Sequence, residues 1–307
     1  MRKTPTTPQN TQPTKAGFIA ILGLTNAGKS TLLNQLIGEK VSIISHKVQT
    51  TRQRILGLHI QDQSQFIFVD TPGIFTPQRR LDRAMISAAF QCGQEADINL
   101  VVCDVSSRKG RNIHAMLQKI DFNKPTFLVL NKIDKILRSE LPAIITDLTT
   151  NYAFEGVFLI SAHTGDGCSE ILKRLEEFLP ESPWLYPADQ VTDLSQRVWA
   201  AEITREAVYE YLHKELPYWI AVQTEKFERT ETGAYVISQV ILVARDNHKG
   251  IVLGNKGQSI KRIGTKARLE ISKNLQASVH LDLHVKVDPK WIDRADLYED
   301  MGLDFNS

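Results

Sequence analysis

Three features predict an α/β domain with a mainly parallel sheet and helices on both faces, followed by a small α+β domain. Short apolar runs alternate with helix-length stretches from residue 17 to about 180. Three prolines, Pro180, Pro183 and Pro187, then break the pattern and stop the preceding helix. Beyond them the order of helix-like and strand-like segments changes, and basic residues gather in one stretch.

With 307 residues the chain can bury two cores, and 42% apolar with 23% charged residues is the balance of a soluble globular protein. The formal charge of +2 is nearly neutral. Cys92, Cys103 and Cys168 lack metal-ligand spacing, which predicts buried free thiols in a reducing compartment and no disulfide framework. No apolar run is long enough to span a bilayer. Residues 1–16 are rich in Thr, Pro and Gln without an apolar core, so they read as a disordered tail rather than a secretion signal.

In the first domain, 17–180, strands are expected at 18–22, 66–69, 98–103, 126–130 and 157–160, because continuous short apolar runs suit strands buried on both faces. Segments 30–37, 81–96 and 111–120 are long enough for crossover helices. Residues 181–194 read as a linker. In the second domain, 195–290, a helix is expected from 195 to about 215, strands at 218–227 and 234–245, a glycine-bearing turn, a helix at 258–275 and a strand at 279–287. Val279, Leu281, Leu283, Val285 and Val287 alternate with polar residues, as in a half-buried strand. Ile260, Ile263, Ala267 and Ile271 fall on one helical face. Residues 291–307 read as a C-terminal tail.

Gly23-Leu24-Thr25-Asn26-Ala27-Gly28-Lys29-Ser30 sits between the first strand and the first helix. A glycine-bearing loop there lets backbone N–H groups curl around phosphates, backed by the helix N-terminus. Gly23 and 26–31, through Asn26, Ala27, Gly28, Lys29, Ser30 and Thr31, are therefore expected to bind a nucleotide. Lys29 is suited to the β- and γ-phosphates and Ser30 to magnesium. Asp70-Thr71-Pro72-Gly73 ends the next apolar strand, where the Asp70 carboxylate can hold magnesium and the Gly73 N–H can reach a γ-phosphate. Asn131-Lys132-Ile133-Asp134 follows another strand. The Asp134 carboxylate can accept from the N1–H and the exocyclic amine of guanine, a donor pair that adenine lacks. Ser161-Ala162-His163 ends the last strand, where N–H groups can meet the guanine carbonyl. These segments predict binding and hydrolysis of GTP to GDP, at the strand ends where open α/β sheets take ligands.

The segment 17–180 thus resembles the translation-factor-related small GTPases. The resemblance assigns a second magnesium ligand to Gln49-Thr50-Thr51-Arg52, with Thr51 preferred and Thr50 not separable by spacing. Lys29, Thr51 and Gly73 are the expected catalytic residues. Ile74 stands where Ras-like enzymes carry a water-orienting glutamine, so slow unaided hydrolysis is expected. In similar GTPases an asparagine at the place of Asn26 helps hold potassium, which implies stimulation by K+.

Gly254-Asn255-Lys256-Gly257 precedes the amphipathic helix and resembles the GXXG loop of type II KH domains, which clamps a nucleic-acid backbone. From 245 to 275 eight basic residues face two acids, an electrostatic footprint for RNA. Gly254, Asn255, Lys256, Gly257, Lys261 and Arg262 are the expected RNA-binding residues, with Ile251, Ile260 and Ile263 lining a groove for bases. A GTPase followed by a KH domain, with Glu215-Leu216-Pro217-Tyr218 and Gln258-Ser259-Ile260 as further matching stretches, resembles the Era family. That resemblance implies binding to the 3′ region of small-subunit (16S) rRNA and to the immature small ribosomal subunit. It also implies a role in ribosome biogenesis, with the GTP state favouring RNA. A cytoplasmic monomer with peripheral contact at the inner membrane completes the expectation. Two other readings are a GTPase of tRNA modification and an RNA-binding protein with a non-hydrolysing nucleotide site. Intact Lys29, Ser30, Asp70 and Asp134 speak against the second.

Overall fold

The computed structural model describes residues 13–45, 47, 50–212 and 216–305. Residues 1–12 of the expected tail, together with Gln49 and Glu215 of the quoted motifs, lie outside the described residues.

The first domain runs β1 (Lys15–Gly23), α1 (Lys29–Ile37), β2 (Ile55–Gln61), β3 (Ser64–Asp70), α2 (Arg80–Glu95), β4 (Ile98–Asp104), α3 (Arg108–Arg111), α4 (His114–Leu117), β5 (Thr126–Asn131), α5 (Leu141–Thr149), β6 (Gly156–Ile160) and α6 (Cys168–Glu176). The sheet order is β2-β3-β1-β4-β5-β6, parallel except for β2 against β3. Successive strand residues point to opposite faces, and both faces are covered. Leu100 and Val102 pack with Leu32 and Leu33 of α1 and Ile171 of α6. Val101 and Cys103 pack with Met116 of α4 and Ile144 of α5. The sheet's strand order reverses at β1, which opens a crevice at the C-terminal strand ends.

The helix expected at 111–120 is replaced by two single turns, α3 and α4. The break falls at Asn112, whose φ of -83° and ψ of 75° are not helical, while Gly110 inside α3 lies so close to Asp104 that a Cβ there would sit 2.4 Å from the Asp104 carbonyl. The residues read as a linker lie along the first domain: Leu58 N–H donates to Val191 O at 2.9 Å, and Gln65 Oε1 accepts from Leu185 N–H at 2.8 Å. All three cysteines are buried and free, and burial pushes the Cys103 thiol up to about 12.

The second domain runs α7 (Gln196–Tyr211), β7 (Ile220–Arg229), β8 (Tyr235–Val243), α8 (Asp246–Leu253), α9 (Gln258–Leu275) and β9 (Val279–Val287). β8 is central, antiparallel to β7 and parallel to β9. One sheet face packs on α7 and α9 through Val208, Ile241, Ile263, Ala267 and Val285. The segment before the glycine loop is the helix α8 rather than a simple turn. The residues read as a C-terminal tail also differ from expectation. They continue through α10 (Ala295–Asp300) and bury Trp291, Leu297, Tyr298 and Leu303. These side chains join Leu81, Ala84 and Met85 of α2 and Ala221, Val240 and Leu242 of the second sheet in one core. The two domains therefore share apolar packing. Among the described residues no helix is long and apolar enough to cross a membrane.

Candidate functional site

A cleft of about 1490 Å³ lies at the C-terminal ends of β1, β3, β4, β5 and β6, lined by 24–31 except Ala27, with Thr51, Gly73, Asn131, Lys132, Asp134 and 161–163. The loop after β1 turns directly into α1. Gly28 adopts φ +96°, and a Cβ there would lie 2.2 Å from Asn131 Nδ2. A side chain at 28 would thus displace the residue that ties the loop down. The Lys29 ammonium folds back onto the Gly23 and Leu24 carbonyls at 3.1 and 3.0 Å. Burial lowers its pKa to about 8, against the opposing pull of Asp70.

Beside Lys29, three hydroxyls gather around one carboxylate. Asp70 Oδ2 accepts from Ser30 Oγ at 2.6 Å, from Ser42 Oγ at 2.9 Å and from Thr51 Oγ1 at 3.4 Å. Ser30 and Thr51 are themselves 2.9 Å apart. Thr50 turns away and donates to the Lys47 carbonyl at 2.7 Å. Of the two threonines that spacing leaves open, Thr51 is the one that lies beside Ser30 and Asp70. Burial raises the Asp70 pKa against Lys29 and the three hydroxyls. Asp70 Oδ1 is buried without a hydrogen-bond partner among the described residues. An all-oxygen set with an unpartnered buried carboxylate oxygen fits a hard cation such as magnesium. Ser42 carries no motif that could have flagged it in the sequence.

Asn131 joins three segments of the site. Its Nδ2 donates to Ala27 O at 2.8 Å, and its Oδ1 accepts from Lys132 N–H at 2.8 Å and Ala162 N–H at 3.0 Å. Ser161 N–H is likewise engaged, by Asp166 O at 3.0 Å. Lys132 is held at φ +68°, a region L-residues seldom occupy. Its ammonium anchors it by donating to Asn26 O at 2.8 Å and Asp104 Oδ2 at 2.6 Å. Asp104 was not singled out in the sequence; its place just after the expected strand 98–103 is the one signal that could have found it. Asp134 and His163 line the same end of the cleft. Ile74 is buried, and its N–H donates to Gly23 O at 3.1 Å, so its side chain presents no polar group.

The segment leading to Thr51 is built onto the second domain. Ile43 packs among Ala200, Ile203, Ile237 and Ile271. Lys40 pairs with Glu206 at 2.6 Å and Glu270 at 3.2 Å. Burial alone would lower the Lys40 pKa, but the two carboxylates outweigh it and leave it raised. Lys47 donates to the Tyr209 and Leu212 carbonyls. Arg52 is fully buried, donating to Ile220 O at 2.6 Å and Tyr209 Oη at 3.1 Å, with its guanidinium 5.8 Å from the Trp291 ring centre. Trp291 Nε1 donates to Trp219 O at 3.2 Å, and Arg79, just before α2, stacks 4.0 Å over Trp219.

In the second domain, Gly254-Asn255-Lys256-Gly257 links α8 to α9. Gly254 (φ +71°) lies so near the following turn that a Cβ would be 2.6 Å from Ser259 Cβ. The tight loop leaves Asn255, Lys256, Lys261 and Arg262 exposed. Ile251 is 53% exposed beside them, whereas Ile263 is fully buried in the core and cannot line a groove.

Two family models match the chain: one described as a 50S ribosome-binding GTPase over residues 18–132, and a KH domain over residues 215–292. The GTPase Era of Sinorhizobium medicae (strain WSM419) is 49% identical over 294 residues, covering 95% of this chain and 95% of that protein. The GTPase Era of Mesorhizobium japonicum is 47% identical over 296 residues, covering 96% of each. A crystal structure of an Aquifex aeolicus Era variant bound to GDP.AlF4- superposes with a TM-score of 0.87 at 39% identity, covering 94% of this chain and 99% of that one. A structure of Era with MgGDPNP and nucleotides 1506-1542 of 16S ribosomal RNA gives a TM-score of 0.86 at 39% identity, with the same coverage. With a P-loop domain and a KH domain in this order, and with relatives this similar along nearly the whole chain, the protein belongs to the Era family of GTPases.

Proposed function

We propose that this GTPase couples its nucleotide state to binding of the 3′ region of 16S rRNA during assembly of the small ribosomal subunit, the GTP form holding RNA more tightly. In this reading the loop 23–31 cradles the phosphates through backbone N–H groups, and protonated Lys29 neutralises β- and γ-oxygens. Ser30, Thr51 and Asp70 hold magnesium, which supplies positive charge to the phosphate oxygens. Gly73 donates its N–H to the γ-phosphate, and Asp134 selects guanine by accepting from two donors. Water attacks the γ-phosphorus in line, the bond to the β–γ bridging oxygen breaks, and GDP and phosphate leave. Ile74 cannot orient that water, so the rate depends on added charge at the β–γ bridge. Potassium beside Asn26 is the proposed source, and equal rates in potassium and sodium chloride would remove that part.

RNA binding is assigned to Gly254, Asn255, Lys256 and Gly257 with Lys261 and Arg262, whose exposed charges suit a single-stranded backbone. The working form is taken as a cytoplasmic monomer, with contact at the inner-membrane surface as the family resemblance implies. One observation carries the coupling: Thr51 sits 2.9 Å from Ser30, and the next residue, Arg52, is bonded to the start of β7. The assignment of RNA is tested with an oligonucleotide of the 16S 3′ end against a shuffled sequence of equal length. At least about tenfold tighter binding of the first supports it. Equal binding removes the rRNA assignment and leaves the GTPase standing.

A further inference from the structure

A second cavity, of about 330 Å³, is lined by Arg52 and Gln53 after Thr51, by residues of α7 and β7, and by Leu297 and Met301. Neither the nucleotide nor the RNA reading uses it. Its charged lining is two buried arginines, Arg52 and Arg205, and the exposed Arg197, against a single acid, Glu202. Glu202 is already committed, because it takes the Nε and Nη2 edge of Arg205. Two donors on lining residues are left over. Arg205 Nη1 and Gln53 Nε2 are buried with no hydrogen-bond partner among the described residues, on side chains belonging to residues only 3% and 5% exposed.

Buried donors without acceptors are costly, and excess buried positive charge is costlier. Water can accept from an N–H but cannot balance the charge. An oxyanion does both, since each of its oxygens accepts several hydrogen bonds and guanidinium–phosphate contacts are among the stronger ones. Ser195, Arg197 and Val198, at the start of α7, also line the cavity. The volume suits a phosphate carrying a small organic group.

We propose that this interdomain cavity is a binding site for a small phosphate anion, free or as a phosphomonoester, held by Gln53 Nε2 and Arg205 Nη1 within the field of Arg52 and Arg197. The bound anion ties the residues just after Thr51 to α7, and so braces the joint between the two domains. The site does not depend on which RNA the protein binds.

The test uses the full chain saturated with MgGDPNP, so that the phosphate positions of the nucleotide cleft are filled. Inorganic phosphate and ribose 5-phosphate are titrated separately by calorimetry at constant ionic strength. Saturable binding of either probe, weakened about tenfold or more by Gln53→Leu and unchanged by Lys256→Ala, supports the site and identifies which form it takes. Gln53→Glu gives an independent readout that does not require the ligand. A carboxylate there supplies the missing counter-charge, so this variant should melt higher than the parent and no longer bind either probe. Failure of both probes to bind saturably overturns the proposal. So does equal affinity in Gln53→Leu, loss of binding in Lys256→Ala, or a lower melting temperature in Gln53→Glu.

Discussion

The guanidinium of Arg52 donates to the carbonyl of Ile220 at 2.6 Å, joining the segment that carries Thr51 to the first strand of the KH domain. Any movement of Thr51 away from Ser30 and Asp70 must therefore either drag this contact or break it. Arg52→Met keeps the length of the side chain but removes the donor to the Ile220 carbonyl and a donor to the Tyr209 hydroxyl. The expected loss is about 2 kcal/mol of stability, measured by urea unfolding. Arg52→Lys keeps the charge and one bond, and should fall between the two.

Lys29 makes nucleotide affinity depend on pH. Its pKa in the free protein is lowered to about 8 by burial, and in the proposed function the protonated form is the one that binds phosphate. Affinity for GTP should be flat below neutrality and about fourfold weaker at pH 8.5 than at pH 7, read by fluorescence titration. The sign for folding is opposite. Between about pH 8 and the ordinary lysine value of 10.5 the unfolded chain holds this proton more tightly. The Lys29 contribution to stability of the nucleotide-free protein should therefore rise with pH across that window.

Asp134→Asn replaces a double acceptor with a side chain that must present a donor to one guanine N–H. Guanine nucleotide affinity should fall roughly a hundredfold, while xanthosine nucleotides, which offer a carbonyl in place of the amine, should gain. Competition between GDP and xanthosine diphosphate measures the switch. An unchanged preference would remove Asp134 from the base pocket.

Lys256→Ala should weaken RNA binding about uniformly across sequences and reduce the salt dependence by about one counterion, because the side chain stands exposed in the loop rather than packed in a pocket. GTP hydrolysis without RNA should not change. A change in sequence preference would show instead that Lys256 reads a base.

Much of this was legible in the sequence, for a physical reason. β1, β3, β4 and β5 are covered on both faces, so they appear as unbroken apolar runs, and each nucleotide motif stands at the end of one. β2 was not anticipated because it is an edge strand whose second half, His59-Ile60-Gln61, is only partly buried. α8 was read as a turn because Asp246-Asn247-His248-Lys249-Gly250 lacks an apolar stripe and buries only Val252. The residues after 290 look tail-like on composition, yet Trp291 and Tyr298 find a core against α2 that no local pattern announces. Thr51 and Thr50 differ in the hydrogen bonds each makes, which spacing does not reveal. Arg52 stood inside a quoted motif, but its partners Tyr209 and Ile220 are 157 and 168 residues away in the chain, beyond any local signal.

The central claim is that the segment around Thr51 and Arg52 carries nucleotide state into the RNA-binding domain. The most direct test is the affinity of the 16S 3′-end oligonucleotide for the parent chain and for Arg52→Met, each loaded with GDP and then with MgGDPNP. The parent should bind more tightly with MgGDPNP, and the variant should bind equally in both states with an affinity between those of the parent. Equal affinities in the parent, or an undiminished preference for MgGDPNP in the variant, would contradict the claim.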